Sequence, residues 1–264
     1  MYTLGINAAY HDTSASLVCD GKVIAAVEDE RFTRIKHGKR PVPFAAWELP
    51  YHAIDYCLAA AGIELADVDH IAYAYDPYLL LRERGPTISL PLEPSAGAQA
   101  GLAPWEPLFL SYLVNAERQL VDGVPHRLGA RFRGAKHRRR WRWHFVEHHL
   151  SHEASAFLAS PFTDCAVMTL DGRGERASTS YGHYANDDYR RLGQVALPHS
   201  LGLLYEDVTE YLGFLRSSDE YKVMALASFG RPHYVAELRD IVQTAGDGTY
   251  RTAPPRLPER FGPP

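Results

Sequence analysis

Apolar and polar positions alternate with a period of two through the first thirty residues, and the period then lengthens. "YTLGIN" (2–7) reads as a strand. "ASLVCDGKVIAAVEDE" (15–30) reads as two strand runs folded about Asp20-Gly21, a strong hairpin signal. "AAYHDTSA" (8–15) is a short polar turn between the first two runs. In "PYHAIDYCLAAAGI" (50–63), Ala53, Ile54, Cys57, Leu58 and Ala61 recur at helical spacing. Pro50 suits the first turn of that helix and Gly62 ends it. "HIAYAY" (70–75) is a further short strand, residues 76–105 are rich in Pro and Gly and read as a loop, and "WEPLFLSYLVNAERQLVDGV" (105–124) reads as a second helix.

The pattern then partly repeats. "VEHHLSHEASAFLAS" (146–160) runs from strand end into helix, and "DCAVMTLDGRGERASTSYGHYANDDYRRL" (164–192) restates the opening layout of strand, Gly-containing turn, strand, Asp-rich turn, strand. Helical runs follow at 200–214, 219–230 and 234–245, and "GDGTYRTAPPRLPERFGPP" (246–264) reads as a linker or frayed end. Two lobes, each opening with a strand–turn–strand that offers its turn to a central cleft, is the plan of actin-like ATP-binding proteins. The expected fold is therefore α/β and actin-like, with ribonuclease H-like duplicated lobes. Residues 1–163 would form the first lobe and 164–264 the beginning of a second, incomplete one.

Composition narrows this little. Of the 264 residues 46% are hydrophobic and 23% charged, with a formal net charge of −4, so neither nucleic acid nor an anionic membrane is an expected partner. The basic run "RFRGAKHRRRWRWH" (131–144), with Trp141 and Trp143 interleaved, could be a nucleic-acid patch, but no nucleic-acid fold signature flanks it, and a solvated linker feeding a strand is the expectation. No apolar run reaches the length of about 18 residues that a membrane span needs, and "MYTLGINAAYHD" is not a signal peptide. Three scattered cysteines argue against a disulfide framework and for a reducing cytoplasm.

The chemistry lies in three stretches. His148 and His152 are one helical turn apart and share a face, whereas His149 points off it and reads as structural. Asp171 ends an apolar strand one helix and one strand later, with Gly172 and Gly174 behind it, a turn able to present N–H groups to an anion. Two imidazoles and a carboxylate make an N,N,O set suited to iron or zinc with open positions, although a lone His near a helix start is more often a hydrogen-bonded cap. His11 and Asp12 sit at the tip of the first hairpin. They read as a phosphate or acyl-group contact with His11 poised as a general base, or simply as a turn in which Asp12 bonds its own backbone. Arg34 or Lys36 could reach an anionic substrate.

Taken together, "LGINAAYHDTSASLVCDGKVIAAVEDERFTRIKH", "AIDYCLAAAGI", "VEHHLSHEASAF", "TLDGRGE", "SLGLLYEDVTEYLGF" and "EYKVMALASFG" resemble one family, the ATP-dependent O-carbamoyltransferases of nodulation-factor and antibiotic biosynthesis. The resemblance implies an N-terminal actin-like domain related to the enzyme that transfers threonylcarbamoyl to tRNA. A separate C-terminal domain, absent from these residues, would make carbamoyl-adenylate from carbamoyl phosphate and ATP. The N-terminal domain would move the carbamoyl group to a hydroxyl of a small acceptor. It further implies that His148, His152 and Asp171 hold a metal, Fe2+ with Zn2+ as the alternative. His11 and Lys36 would face the carbamoyl-adenylate, with Asp12 beside them, and Gly172, Gly174, Ser200 and Gly202 would lie along the nucleotide. Family members are about twice this length, so the chain reads as a fragment or split product. The rival readings are another actin-like ATP-dependent enzyme, such as a sugar kinase or the tRNA-modifying relative, or an inactive binding lobe that needs a partner chain.

Overall fold

The computed structural model describes residues 1–38, 49–84, 106–122 and 141–262. The described chain forms two compact units, Met1–His148 and His149–Pro264.

In the first unit, β1 (Tyr2–Asn7), β2 (Ser14–Cys19) and β3 (Lys22–Glu28) form an antiparallel meander. β4 (His70–Tyr73) and β5 (Arg142–Phe145) add in parallel beside β1, giving the order β3-β2-β1-β4-β5. That is the ribonuclease H-like order of an actin-like lobe. The period of two sends Leu4 and Ile6 of β1, Ala15 and Leu17 of β2, and Ile71 and Tyr73 of β4 into the core. Between β3 and α2 the described residues include the short helix α1 (Glu30–Thr33) and a 3-10 turn at Lys36–Gly38. α2 (Tyr51–Ala61) covers β2 and β3 with Ala53, Ile54, Cys57 and Leu58, all buried. It stops at Gly62, whose φ of 65° lets its N–H turn back to the Leu58 and Ala59 carbonyls.

Two expectations fail here. The loop expected from residue 76 begins instead with α3 (Pro77–Arg84), where Pro takes the first position and Asp76 Oδ1 accepts the Tyr78 N–H at 3.0 Å. Residues 85–105 lie outside the described residues. The single helix expected over 105–124 is two, α4 (Glu106–Val114) and α5 (Ala116–Asp122). They break at Asn115, whose amide donates to the Ser111 carbonyl at 2.8 Å and so competes with the helical ladder. Most of the basic run is also outside the described residues. Its Trp141 is a core residue that donates to Glu117 Oε1 at 3.2 Å, and its last residues form β5 as expected.

α6 (His148–Ala159) opens the second unit, and the division falls inside its first turn, ahead of the 163/164 boundary read from the sequence. The physical reason is where α6 packs. Glu153 has no exposed surface and pairs with Arg191, while Phe157 stacks on Tyr184 and Tyr189 at 4.5 and 5.2 Å. Those partners belong to a second antiparallel meander of β6 (Asp164–Leu170), β7 (Ala177–Ala185) and β8 (Asp188–Ala196), which restates the opening of the first unit. α7 (Leu201–Tyr211), α8 (Glu220–Ala227) and α9 (Val235–Ile241) follow.

The expected frayed end is structured. β9 (Val242–Thr244) pairs with β10 (Tyr250–Thr252), and α10 (Leu257–Phe261) closes the described chain. Tyr250 is buried and its hydroxyl lies 2.8 Å from Thr179 Oγ1 and 3.2 Å from Ser178 Oγ of β7. A Pro- and Gly-rich stretch reads as loose only until one buried side chain ties it down. Among the described residues no helix is long and apolar enough to cross a membrane.

Candidate functional site

α6 places His148 and His152 on one face because they stand one turn apart. His148, His152 and Asp171 each offer a ligand atom, all within 4.8 Å of one another. Bonds of about 2.0–2.2 Å to one ion put its ligand atoms about 3–4 Å apart, so these three side chains could close on one ion such as Fe2+ or Zn2+. His148 Nδ1 lies 3.0 Å from the Ala74 carbonyl. A carbonyl only accepts, so Nδ1 carries the proton and Nε2 is left as the ligating atom, the usual way an outer partner orients a metal-binding imidazole. His152 Nε2 is 3.8 Å from Asp171 Oδ2, and half of its side chain is exposed.

Asp171 stands at the end of β6 on a turn built from glycines. Its N–H donates to Ser178 and its Oδ1 accepts the Gly172 N–H at 2.7 Å. Gly202, in the first turn of α7, lies against this turn so closely that a Cβ there would sit 2.6 Å from Gly172 Cα and N. Ser200 caps α7 by accepting the Leu203 N–H at 3.0 Å, and its hydroxyl donates to the Gly172 carbonyl at 2.7 Å. Ser200 is buried, so its hydroxyl joins the strand tip to the helix start. A Cβ on Gly174 would meet the His149 ring at 3.0 Å. His149 is buried beneath this turn, and its Nε2 is as near to Asp171 Oδ2, at 3.8 Å, as that of His152. The residues read as nucleotide contacts in the second unit thus form one connected turn around Asp171.

The hairpin tip of the first unit forms the other group. His11 is flanked by two residues in the left-handed region, Tyr10 at φ 65° and Asp12 at φ 53°. Asn7 steadies them by donating its amide to the His11 and Asp12 carbonyls at 3.1 and 3.0 Å. Asp12 Oδ2 lies 2.6 Å from His11 Nδ1, and Asp12 Oδ1 lies 2.9 Å from His37 Nδ1. Hydrogen bonds from His11 and, next, from His37 outweigh partial burial and hold the Asp12 carboxyl far below the usual carboxylate range. Lys36, exposed, begins the 3-10 turn that carries His37. Asp12, Glu30 and His37 also bring donor atoms within 4.8 Å of one another. The sequence reading missed His37 and Glu30. Their only signal was position in the acidic and basic stretch after β3, which reads as solvated surface.

The sheet order and the repeated meander define an actin-like α/β protein. Within that class, the chain belongs to the carbamoyltransferase N-terminus family, whose model matches residues 2–257. It is 39% identical to the uncharacterized protein sll1178 of Synechocystis sp. over 95% of this chain and 38% of that protein. It is 36% identical to nodulation protein NolNO of Sinorhizobium fredii over 86% of this chain and 29% of that protein. The chain therefore spans well under half the length of these relatives. Among solved structures, YeaZ from Pseudomonas aeruginosa overlaps with a TM-score of 0.35 at 15% identity, covering 75% of this chain and 68% of that chain.

Proposed function

We propose that these residues carry the transfer step of an O-carbamoyltransferase, moving a carbamoyl group from carbamoyl-adenylate to a hydroxyl of a small acceptor. The observation that carries this reading is the His148, His152 and Asp171 set in a chain of the carbamoyltransferase N-terminus family. The greater length of the relatives supports formation of carbamoyl-adenylate, from carbamoyl phosphate and ATP, outside these residues.

In this reading His11 Nε2 takes the proton of the acceptor hydroxyl. The acceptor oxygen bonds to the carbamoyl carbon, and the bond from that carbon to the phosphate oxygen breaks, so that AMP leaves with the electron pair. Lys36 stabilises the negative charge that develops on the carbamoyl oxygen. Gly174 and Gly202, where a Cβ would crowd the His149 ring and the Gly172 backbone, keep the Asp171 turn close-packed, and in this reading an anionic nucleotide lies along that turn. His148 Nε2, His152 and Asp171 would hold Fe2+ or Zn2+, which supplies Lewis-acid stabilisation of charge on the substrate.

The test reads metal and transfer separately. Elemental analysis of the purified chain should find iron or zinc. His148→Ala and His152→Ala should each lose it, while His149→Ala retains it. With carbamoyl-adenylate and a panel of small hydroxyl acceptors, His11→Ala in the full-length protein should slow transfer about a hundredfold while metal content is unchanged. Folded protein without metal, or no transfer to any acceptor, would overturn the reading.

A further inference from the structure

We propose that His37 is a positioning residue for His11, acting through Asp12 so that His11 is held as the Nδ1–H tautomer with Nε2 left as the proton acceptor. The inference deepens the carbamoyl-transfer reading and rests on it only for what the proton acceptor serves.

Asp12 offers one carboxylate oxygen to each of two imidazole rings. One lies 2.6 Å from His11 Nδ1 and the other 2.9 Å from His37 Nδ1. An ionised carboxylate has acceptors and no donor, so both ring nitrogens that face it must carry protons. The Asp12 carboxyl is held ionised by those same two bonds. In the neutral His11 ring the one proton is then on Nδ1 and Nε2 is bare, on a side chain that is 53% exposed, the state a general base needs.

His37 holds Asp12 twice. Its ring bonds the Asp12 carboxylate, and its backbone carbonyl accepts the Asp12 N–H at 3.0 Å. The His37 backbone is tied in turn, its N–H donating to Glu30 Oε2 at 2.8 Å. Arg31 lies 3.4 Å from the other oxygen of Glu30, and Lys36 precedes His37 directly, so among the described residues Glu30, Arg31 and Lys36 are charged groups close to the pair. Asp12 and His37 both sit at positive φ, 53° and 57°, conformations that persist in non-glycine residues where surrounding bonds over-determine them. With one oxygen pinned by His37, the carboxylate cannot rotate away from His11. Without His37 it can.

The test is imidazole nitrogen NMR on the 15N-labelled 264-residue chain at about pH 8, above the usual imidazole titration range. In the wild type His11 should show a protonated Nδ1 and a bare Nε2. His37→Ala should shift His11 toward the Nε2–H tautomer, and His37→Asn, whose amide can still donate to Asp12, should restore the wild-type state. Asp12→Asn provides a second arm should His37→Ala fail to fold. An amide offers that pair of rings one acceptor and one donor, so one of His11 and His37 must change tautomer. A wild-type His11 already in the Nε2–H form would overturn the proposal. So would an unchanged His11 in a folded His37→Ala, or two unchanged rings in Asp12→Asn. Titration with Zn2+ adds a further outcome: a shift of His37 that releases His11 would assign Asp12, Glu30 and His37 to a cation and overturn the positioning role. None of these spectra needs substrate. Loss of the carbamoyl-transfer reading would leave them standing, and a normal transfer rate with an Nε2–H His11 would sink the positioning role alone.

Discussion

Glu153 follows His152 on α6 and has no exposed surface. Burial works against its charge, and the Arg191 guanidinium, 3.2 and 2.8 Å from its two oxygens, outweighs that and keeps its carboxyl below the ordinary range. Arg191→Leu leaves this carboxylate buried without its partner, a change that costs about 3–5 kcal/mol. The pH dependence has a definite sign. Because the folded state lowers the pKa of Glu153, the stabilisation is complete above the unfolded value of about 4.3 and is lost as pH falls through the folded one. The gap between wild type and Arg191→Leu should therefore be widest near neutrality and narrow below about pH 4. Hydrogen exchange of the β7 and β8 amides across that range reads it locally. A gap that widened in acid would mean that the pair does not hold α6 to the sheet.

Contact between two elements explains the glycines better than their own conformations do. α7 approaches the end of β6 at Gly202, where a Cβ would also sit 2.7 Å from the Asp171 carbonyl oxygen. The obstruction is backbone, which cannot rotate aside as a side chain can. Gly202→Ala should cost about 1–3 kcal/mol, the scale of an overpacked core, and displace the Asp171 turn. Gly246→Ala is the control, since nothing lies within 4 Å of a Cβ there. Thermal midpoints together with the Gly172 amide shift test this. Equal, small effects for both variants would show that helix and strand tip adjust freely, and would remove the glycine-based account of how Asp171 is placed.

For the molecule as a whole, more large apolar side chains are exposed in the second unit than in the first among the described residues. The first has a continuous buried core of strand and helix side chains. In the second, Met168 and Leu170 on one side of β6 are each 60% exposed, and Phe229 is 89% exposed. Adjacent exposed apolar side chains on a strand mark a surface that associates. The 264-residue chain should self-associate at micromolar concentration, and Met168→Lys with Leu170→Lys should reduce association without lowering the unfolding midpoint. Sedimentation velocity over a concentration series measures this. A strictly monomeric wild type would show that exposure on β6 has no such consequence.

What the sequence determined by itself is local. The two meanders were legible because alternation with a period of two and an Asp-Gly turn act within ten residues. α2 and α6 were legible because a helical stripe needs only its own turns, and the same spacing put His148 and His152 on one face. His11 stood out by its place at the hairpin tip and Lys36 by the charged stretch after β3, and the family resemblance added the roles expected of them. Other features were decided by tertiary contacts that no local pattern encodes. Tyr250 draws the Gly-rich tail onto β7 across 71 residues of chain, and Arg191 takes α6 into the second unit across 38. His37 reaches Asp12 across 25 residues, so the hairpin tip read as a histidine and an aspartate is a three-residue assembly. Hydrogen bonds and close packing act through space between groups far apart in the chain, and only the folded backbone determines which of them meet.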